Sequence, residues 1–91
     1  MNKLQKINIL AKIHGYGEVK PSTRKSKKYM TEVDGKLIHF GAAGYEDWHD
    51  HQDIKRRRNY KARHSSIRLK DGRLAYKVFG TPSHLSYNIL W

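Results

Sequence analysis

The stretch Tyr29-Met30-Thr31-Glu32-Val33-Asp34-Gly35-Lys36-Leu37-Ile38-His39-Phe40 decides how the chain is read. Two runs of alternating side chains flank Asp34-Gly35, the favoured pair for a two-residue hairpin turn, because both central positions take positive φ. Tyr29, Thr31 and Val33 fall on one face of the first run, and Met30 and Glu32 on the other. On the return, Leu37 and His39 alternate with Ile38 and Phe40. A β-hairpin is expected here, with one or two further strands beside it. Gly41-Ala42-Ala43-Gly44 then ends the hairpin in a turn; it lacks the Lys-Ser/Thr ending of a nucleotide phosphate loop.

Upstream, Lys20-Pro21-Ser22-Thr23-Arg24-Lys25-Ser26-Lys27-Lys28 holds five cations in nine residues and no large apolar side chain. Pro21 restricts its own φ and biases Lys20 toward extended geometry, so the segment reads as a basic loop entering a strand. Earlier still, Ile7, Ile9, Ala11 and Ile13 alternate with Asn8, Leu10 and Lys12. That period predicts an N-terminal strand or arm over residues 1–19, with Gly15 and Gly17 marking a turn around Tyr16.

Downstream, Glu46, Asp47, Asp50 and Asp53 precede Lys55-Arg56-Arg57-Arg58-Asn59-Tyr60-Lys61-Ala62-Arg63. Acids first and bases last is the order that a helix dipole favours. A helix is expected from about Asp50 or Asp53 to His64, packing through Tyr60 and the arginine stems. Residues 67–79 contain a second Asp-Gly pair, Asp71-Gly72, compatible with either a hairpin or an irregular connection. Thr81-Pro82 has the form of a helix start, with Thr81 as cap and Pro82 in the first helical position. The chain's last residues, Ile89-Leu90-Trp91, are expected to be packed, since exposing all three to water is unfavourable. The fold class is therefore α+β: one small basic domain over residues 1–91, with a hairpin-based antiparallel sheet, one basic helix and a short C-terminal helix.

Composition bounds the function. The 91 residues carry 19 Lys+Arg against 8 Asp+Glu, a formal charge of +11. Mean hydropathy is -0.88 and the hydrophobic fraction 37%. The core is thin, and an oligomeric or assembled state would compensate for it. No apolar stretch approaches the ~20 residues of a membrane span, and no secretory signal is expected at the start. Cysteine is absent, which excludes disulfides, thiolate chemistry and Cys-based zinc sites. No cofactor motif is present. A surplus of +11 is favourable only beside a polyanion.

The candidate phosphate-binding residues lie in two clusters. Lys20, Ser22, Thr23, Arg24, Lys25, Lys27 and Lys28 belong to the loop; Lys55, Arg56, Arg57, Arg58, Lys61 and Arg63 belong to the helix. Cations meet phosphates through ion pairing and counterion release, and hydroxyls add hydrogen bonds. The bland alternative is a solvated cationic face, since three consecutive arginines cannot share one side of a helix. Tyr29, Tyr45, Trp48 and Tyr60 either stack on unpaired bases or build the core. His49, His51 and His64, with Asp50, suggest metal ligands, but no i, i+4 histidine pair or His-Glu-x-x-His motif occurs. No metal site is assigned. A metal-dependent nuclease using His49, Asp50 and His64 stands as a second alternative.

Taken in order, Lys20 to Tyr29, Asp34-Gly35-Lys36, His39-Phe40-Gly41, Asp53 with Arg57-Arg58 and Tyr60, Arg63-His64, Leu85-Ser86 and Leu90-Trp91 form a pattern. It resembles a family of small, uncharacterised basic proteins of giant DNA viruses and tailed phages. The resemblance runs from Lys20 to Trp91, leaving residues 1–19 and 67–80 outside it. It implies a viral source and carries no catalytic residues or activity with it. The expected role is non-enzymatic: binding of nucleic-acid phosphates, DNA before RNA, largely without sequence specificity, in a virion or the host cell interior. The alternative is a minor capsid or cement protein whose arginines bind acidic faces of capsid subunits.

Overall fold

The computed structural model describes residues 1–91. Its sheet has three antiparallel strands in the order β1-β2-β3: β1 Val19–Pro21, β2 Lys27–Val33 and β3 Lys36–Ala42. The hairpin forms as expected. Asp34 and Gly35 take φ of 50° and 80°, which puts Tyr29 opposite Phe40 and Thr31 opposite Ile38. Phe40 and Thr31 are fully buried, so this face carries the core, while Met30 pairs with His39 on the other face. β1 adds the third strand through Val19 opposite Thr31 and Pro21 opposite Tyr29. Proline suits this position because an edge strand leaves one row of N–H groups unused.

The N-terminal strand expected over residues 1–19 is a helix instead, α1 (Lys3–Ile13). Two features override the alternating pattern. Asn2 and Gln5 form a capping box, each side chain bonding the other's backbone N–H at 2.8 Å. The buried side is also helical in period: Ile7 and Ala11 are fully buried, and Leu4 and Leu10 pack against them. The isoleucines do scatter around the helix, and Ile9 and Ile13 are left exposed. Asn8 faces inward for a polar reason. Its Oδ1 accepts the Val19 N–H at 2.8 Å and its Nδ2 donates to the Val19 carbonyl at 3.1 Å, which latches α1 onto β1.

The basic helix is present but starts in two pieces. Asp47 caps α2 (Trp48–His51), Gln52 breaks it with a left-handed φ of 50°, and Asp53 caps α3 (Ile54–His64). Residues 67–79 form no second hairpin: one bridge joins Arg68 to Leu74 around Asp71-Gly72, followed by a 3₁₀ turn, Ala75–Lys77. Thr81 accepts the His84 N–H and Pro82 opens α4 (Pro82–Leu85), which continues into a π-helical turn, Ser86–Leu90. Leu85, Ile89 and Leu90 close the core against Phe40, Ile7 and Val19. No helix is long and apolar enough to cross a membrane.

The contact between β3 and the C-terminal turn depends on Gly41. Its φ is +80°, and an added Cβ would stand 2.9 Å from Leu90 Cδ1 and 3.3 Å from Lys28 Cβ. Gly41→Ala should therefore lower stability by about 1–3 kcal/mol, the usual cost of overpacking. Urea unfolding measures it, and an unchanged midpoint would contradict the packing described.

Candidate functional site

One buried carboxylate organises the charged residues. Asp47 is 1% exposed, and its Oδ2 lies 3.0 Å from Lys3 Nζ and 3.1 Å from Lys28 Nζ. Its Oδ1 accepts the His49 N–H, while Asp50 accepts the Asp47 N–H and pairs with Lys3 at 2.8 Å. Lysines from α1 and β2 thus meet the carboxylates that open α2. Burial pushes Lys3 down, but Asp50 and Asp47 more than offset it and hold the ammonium above its ordinary value. Burial likewise pushes Asp50 up, yet the bonds from Lys3 and the Asp47 N–H hold its carboxyl below the usual range.

A second set of contacts fixes α3. Arg57 donates from Nε to the Trp91 carbonyl at 2.7 Å and lies 4.5 Å from the Trp48 ring centre. Lys61 sits 4.4 Å from the Tyr87 ring centre. Tyr60 is sandwiched between His64 and Trp91, with centroids 3.9 and 4.1 Å away and planes within 19° and 6° of its own. Burial pushes the Tyr60 hydroxyl up, and burial with the neighbouring Arg63 holds His64 below its ordinary value.

Between the hairpin's end and α3 lies a cleft of about 580 Å³. Lys27, Lys28 and Gly41 line one side, Arg56, Asn59, Tyr60, Arg63 and His64 another, with Tyr45, Glu46, Asp47, Ser83 and Trp91 among the remaining lining residues. The two basic clusters meet here only through Lys27 and Lys28 of the loop and Arg56 and Arg63 of the helix; Lys55, Arg57, Arg58 and Lys61 do not line it. Lys20, Ser22, Thr23, Arg24 and Lys25 lie outside the cleft.

The expected phosphate-binding residues divide by their partners. Lys28 is held by Asp47, Arg56 pairs with Glu46 at 3.2 Å, and Arg57 and Lys61 are engaged internally. Lys20 stands 3.7 Å from Glu18, but both are well exposed and such a pair contributes little. Ser22 Oγ accepts the Arg24 N–H and lies 2.7 Å from His39 Nδ1, so it shapes the loop; Thr23 is exposed. Arg24, Lys25, Lys27, Lys55, Arg58 and Arg63 have no carboxylate within 4.0 Å. His49 bonds the Ile89 carbonyl at 2.7 Å, Asp50 holds Lys3 and His64 stacks on Tyr60. These three do not converge into a ligand set.

Sequence reasoning missed Lys3 and the position of Trp91 beside Tyr60. Reading the N-terminus as a strand hid Lys3; the Asn2-x-x-Gln5 capping box was the available signal. Nothing local announces the Trp91 stack, which depends on long-range packing.

Sheet, cleft and buried ion pairs together define a small cationic α+β protein with an aromatic-lined groove. Residues 17–64 match the model of DUF5754, a family of unknown function, and the chain belongs to that family. An uncharacterised protein of Acanthamoeba polyphaga mimivirus is 37% identical over 70 residues, covering 75% of this chain and 70% of the relative. The relation supports a viral origin, as the sequence resemblance implies. No solved structure matches. The family segment contains the whole sheet, Asp47 and α3, and so most of the cleft.

The Lys3–Asp50 pair gives the fold an acid-sensitive component. A depressed folded value means that the unfolded chain binds more protons as pH falls. The stability is present above the ordinary carboxylate range, roughly pH 4, and is lost as pH drops through the folded value. His39, His64 and His84 are also held below their ordinary value, first by burial, so they add a loss beginning near pH 6.5. Melting curves of the protein and Asp50→Asn, compared between pH 6 and 3, isolate the carboxylate. The variant should show a shallower fall below pH 4, and parallel curves would contradict the pairing.

Proposed function

We propose that this protein binds nucleic-acid phosphates without reading sequence, as a non-enzymatic component of a viral particle or of its genome's surroundings. The observation that carries the reading is the distribution of unpaired cations. Lys27 and Arg63 line one cleft, and Arg24, Lys25, Lys55 and Arg58 are exposed on the loop and helix that contribute to it. Among the cations of the loop and the helix, Lys20 stands near Glu18, and internal contacts take up Lys28, Arg56, Arg57 and Lys61 and leave these six. Lys6, Lys12, Lys36, Arg68, Lys70 and Lys77 are also without a carboxylate but lie on α1, the hairpin turn and the 67–79 segment. The β1–β2 connection supplies the support: the Ser22 N–H donates to the Lys28 carbonyl at 2.9 Å, joining the two ends of the turn, and the Lys27 N–H donates to the Arg24 carbonyl at 3.2 Å within it. Phosphate contacts position a nucleic acid but carry no sequence information, and no helix-turn-helix or zinc finger is present to add it.

Duplex DNA affinity should fall by orders of magnitude between roughly 50 and 200 mM salt. Arg58→Ala and Arg63→Ala should each reduce the salt slope by about one and weaken binding equally for unrelated sequences. Arg57→Ala should instead lower the melting temperature, because that side chain is engaged by Trp48 and Trp91. Fluorescence anisotropy across a salt series reads the affinity. A flat salt dependence, or strong sequence preference, would contradict the reading.

A further inference from the structure

The cleft holds more than cations. Tyr45 is 73% exposed on its rim and stacks on no other ring of the protein. Single exposed aromatics are ordinary on a protein surface, but this one stands at the rim of a groove with a ring face open to a planar ligand. Because Tyr60 is covered on both faces, His64 is the end ring of that stack and lines the same cleft. Asn59 and Ser83 also line it, and their side chains make no hydrogen bond within the protein. An amide and a hydroxyl supply donors and acceptors for the edge of a planar polar ring.

We propose that the cleft receives an unpaired nucleobase of a single strand, stacked on Tyr45, with Asn59 on its edge and the adjoining phosphates on Lys27 and Arg63. The proposal rests on the phosphate-binding reading and narrows it to a substrate class. The size suits it: about 580 Å³ lies within the roughly 300–1,000 Å³ of small-molecule sites. A duplex keeps its rings inside the stack and reaches such a cleft only by flipping one out. The charge suits it too. Glu46 and Asp47 are the carboxylates at the cleft, and each already has a cation, Arg56 or Lys28, beside it. Lys27 and Arg63 have none. His64 is held below its ordinary value by burial and Arg63, so it presents a neutral ring at neutral pH.

The test compares a short oligothymidylate with an abasic strand of the same length, so that phosphate number is constant and only the bases differ. The protein should bind the oligothymidylate about tenfold more tightly, in line with stacking on one aromatic side chain. Tyr45→Ala should bring that affinity down to the abasic value, and Tyr45→Phe should retain it. Circular dichroism and melting of the variants check that the exposed position leaves the fold intact. Equal affinity for the two strands, or a Tyr45→Ala protein that still prefers the bases, would overturn the proposal. In that case, salt-dependent binding of both strands would leave the phosphate reading standing. Weak, salt-insensitive binding of both would overturn that reading as well.

Discussion

The buried Asp47 carboxylate is the constraint on which the arrangement depends. It draws Lys3 from α1 and Lys28 from β2 to one point and caps α2 at the same time. Each charge alone would oppose burial; together, with hydrogen bonds to the remaining oxygens, they are tolerated. Removing one partner from such a cluster costs on the order of 3–5 kcal/mol. Small domains have only roughly 5–15 kcal/mol in total. With eleven of 91 residues buried, this protein has little apolar reserve to absorb that loss.

The same cluster shapes the surface. A chain of charge +11 would be expected to spread its cations over the whole exterior. Here four of the eight carboxylates fall between Glu46 and Asp53, and three of these four neutralise Lys3, Lys28 and Arg56 along one seam. The cations at the tip of the 22–27 loop and along the outer side of α3 keep their charge. Arg57 and Lys61 occupy α3's inner side, where aromatic rings replace carboxylates as their partners. Alternation of role along Arg56-Arg57-Arg58 follows from helix geometry: consecutive residues point about 100° apart, so three arginines cannot share one face. One pairs with Glu46, one turns inward to Trp91 and one is exposed.

What was legible in the sequence was what local chemistry dictates. Asp34-Gly35 announces its turn because few other pairs accept positive φ twice, and Thr81-Pro82 and Asp53 announce helix starts through their caps. The N-terminus was misleading because Ile7, Ile9, Ala11 and Ile13 satisfy a period of two as well as a helix with an exposed apolar side. Only tertiary packing against Val19 and the C-terminal turn decides between them. The two cationic clusters were visible as composition, but not their separation into engaged and unengaged members. Lys28 reads like Lys27 in the chain and lines the same cleft, yet only Lys28 meets a carboxylate there, buried Asp47.

The decisive question is whether the groove lined by Lys27, Arg63 and the uncovered Tyr45 ring, with Arg24, Lys25, Lys55 and Arg58 on the elements flanking it, accepts a nucleic acid in preference to the free cations elsewhere on the surface. The most direct measurement is an amide-resolved NMR titration of the protein with a short single-stranded oligonucleotide. Shift changes should concentrate at residues 24–28, Tyr45 and α3 (Ile54–His64), with the exposed face of α1 around Ile9 and Ile13 unmoved. Changes scattered evenly over the surface, or confined to α1 and the 67–79 segment, would contradict it.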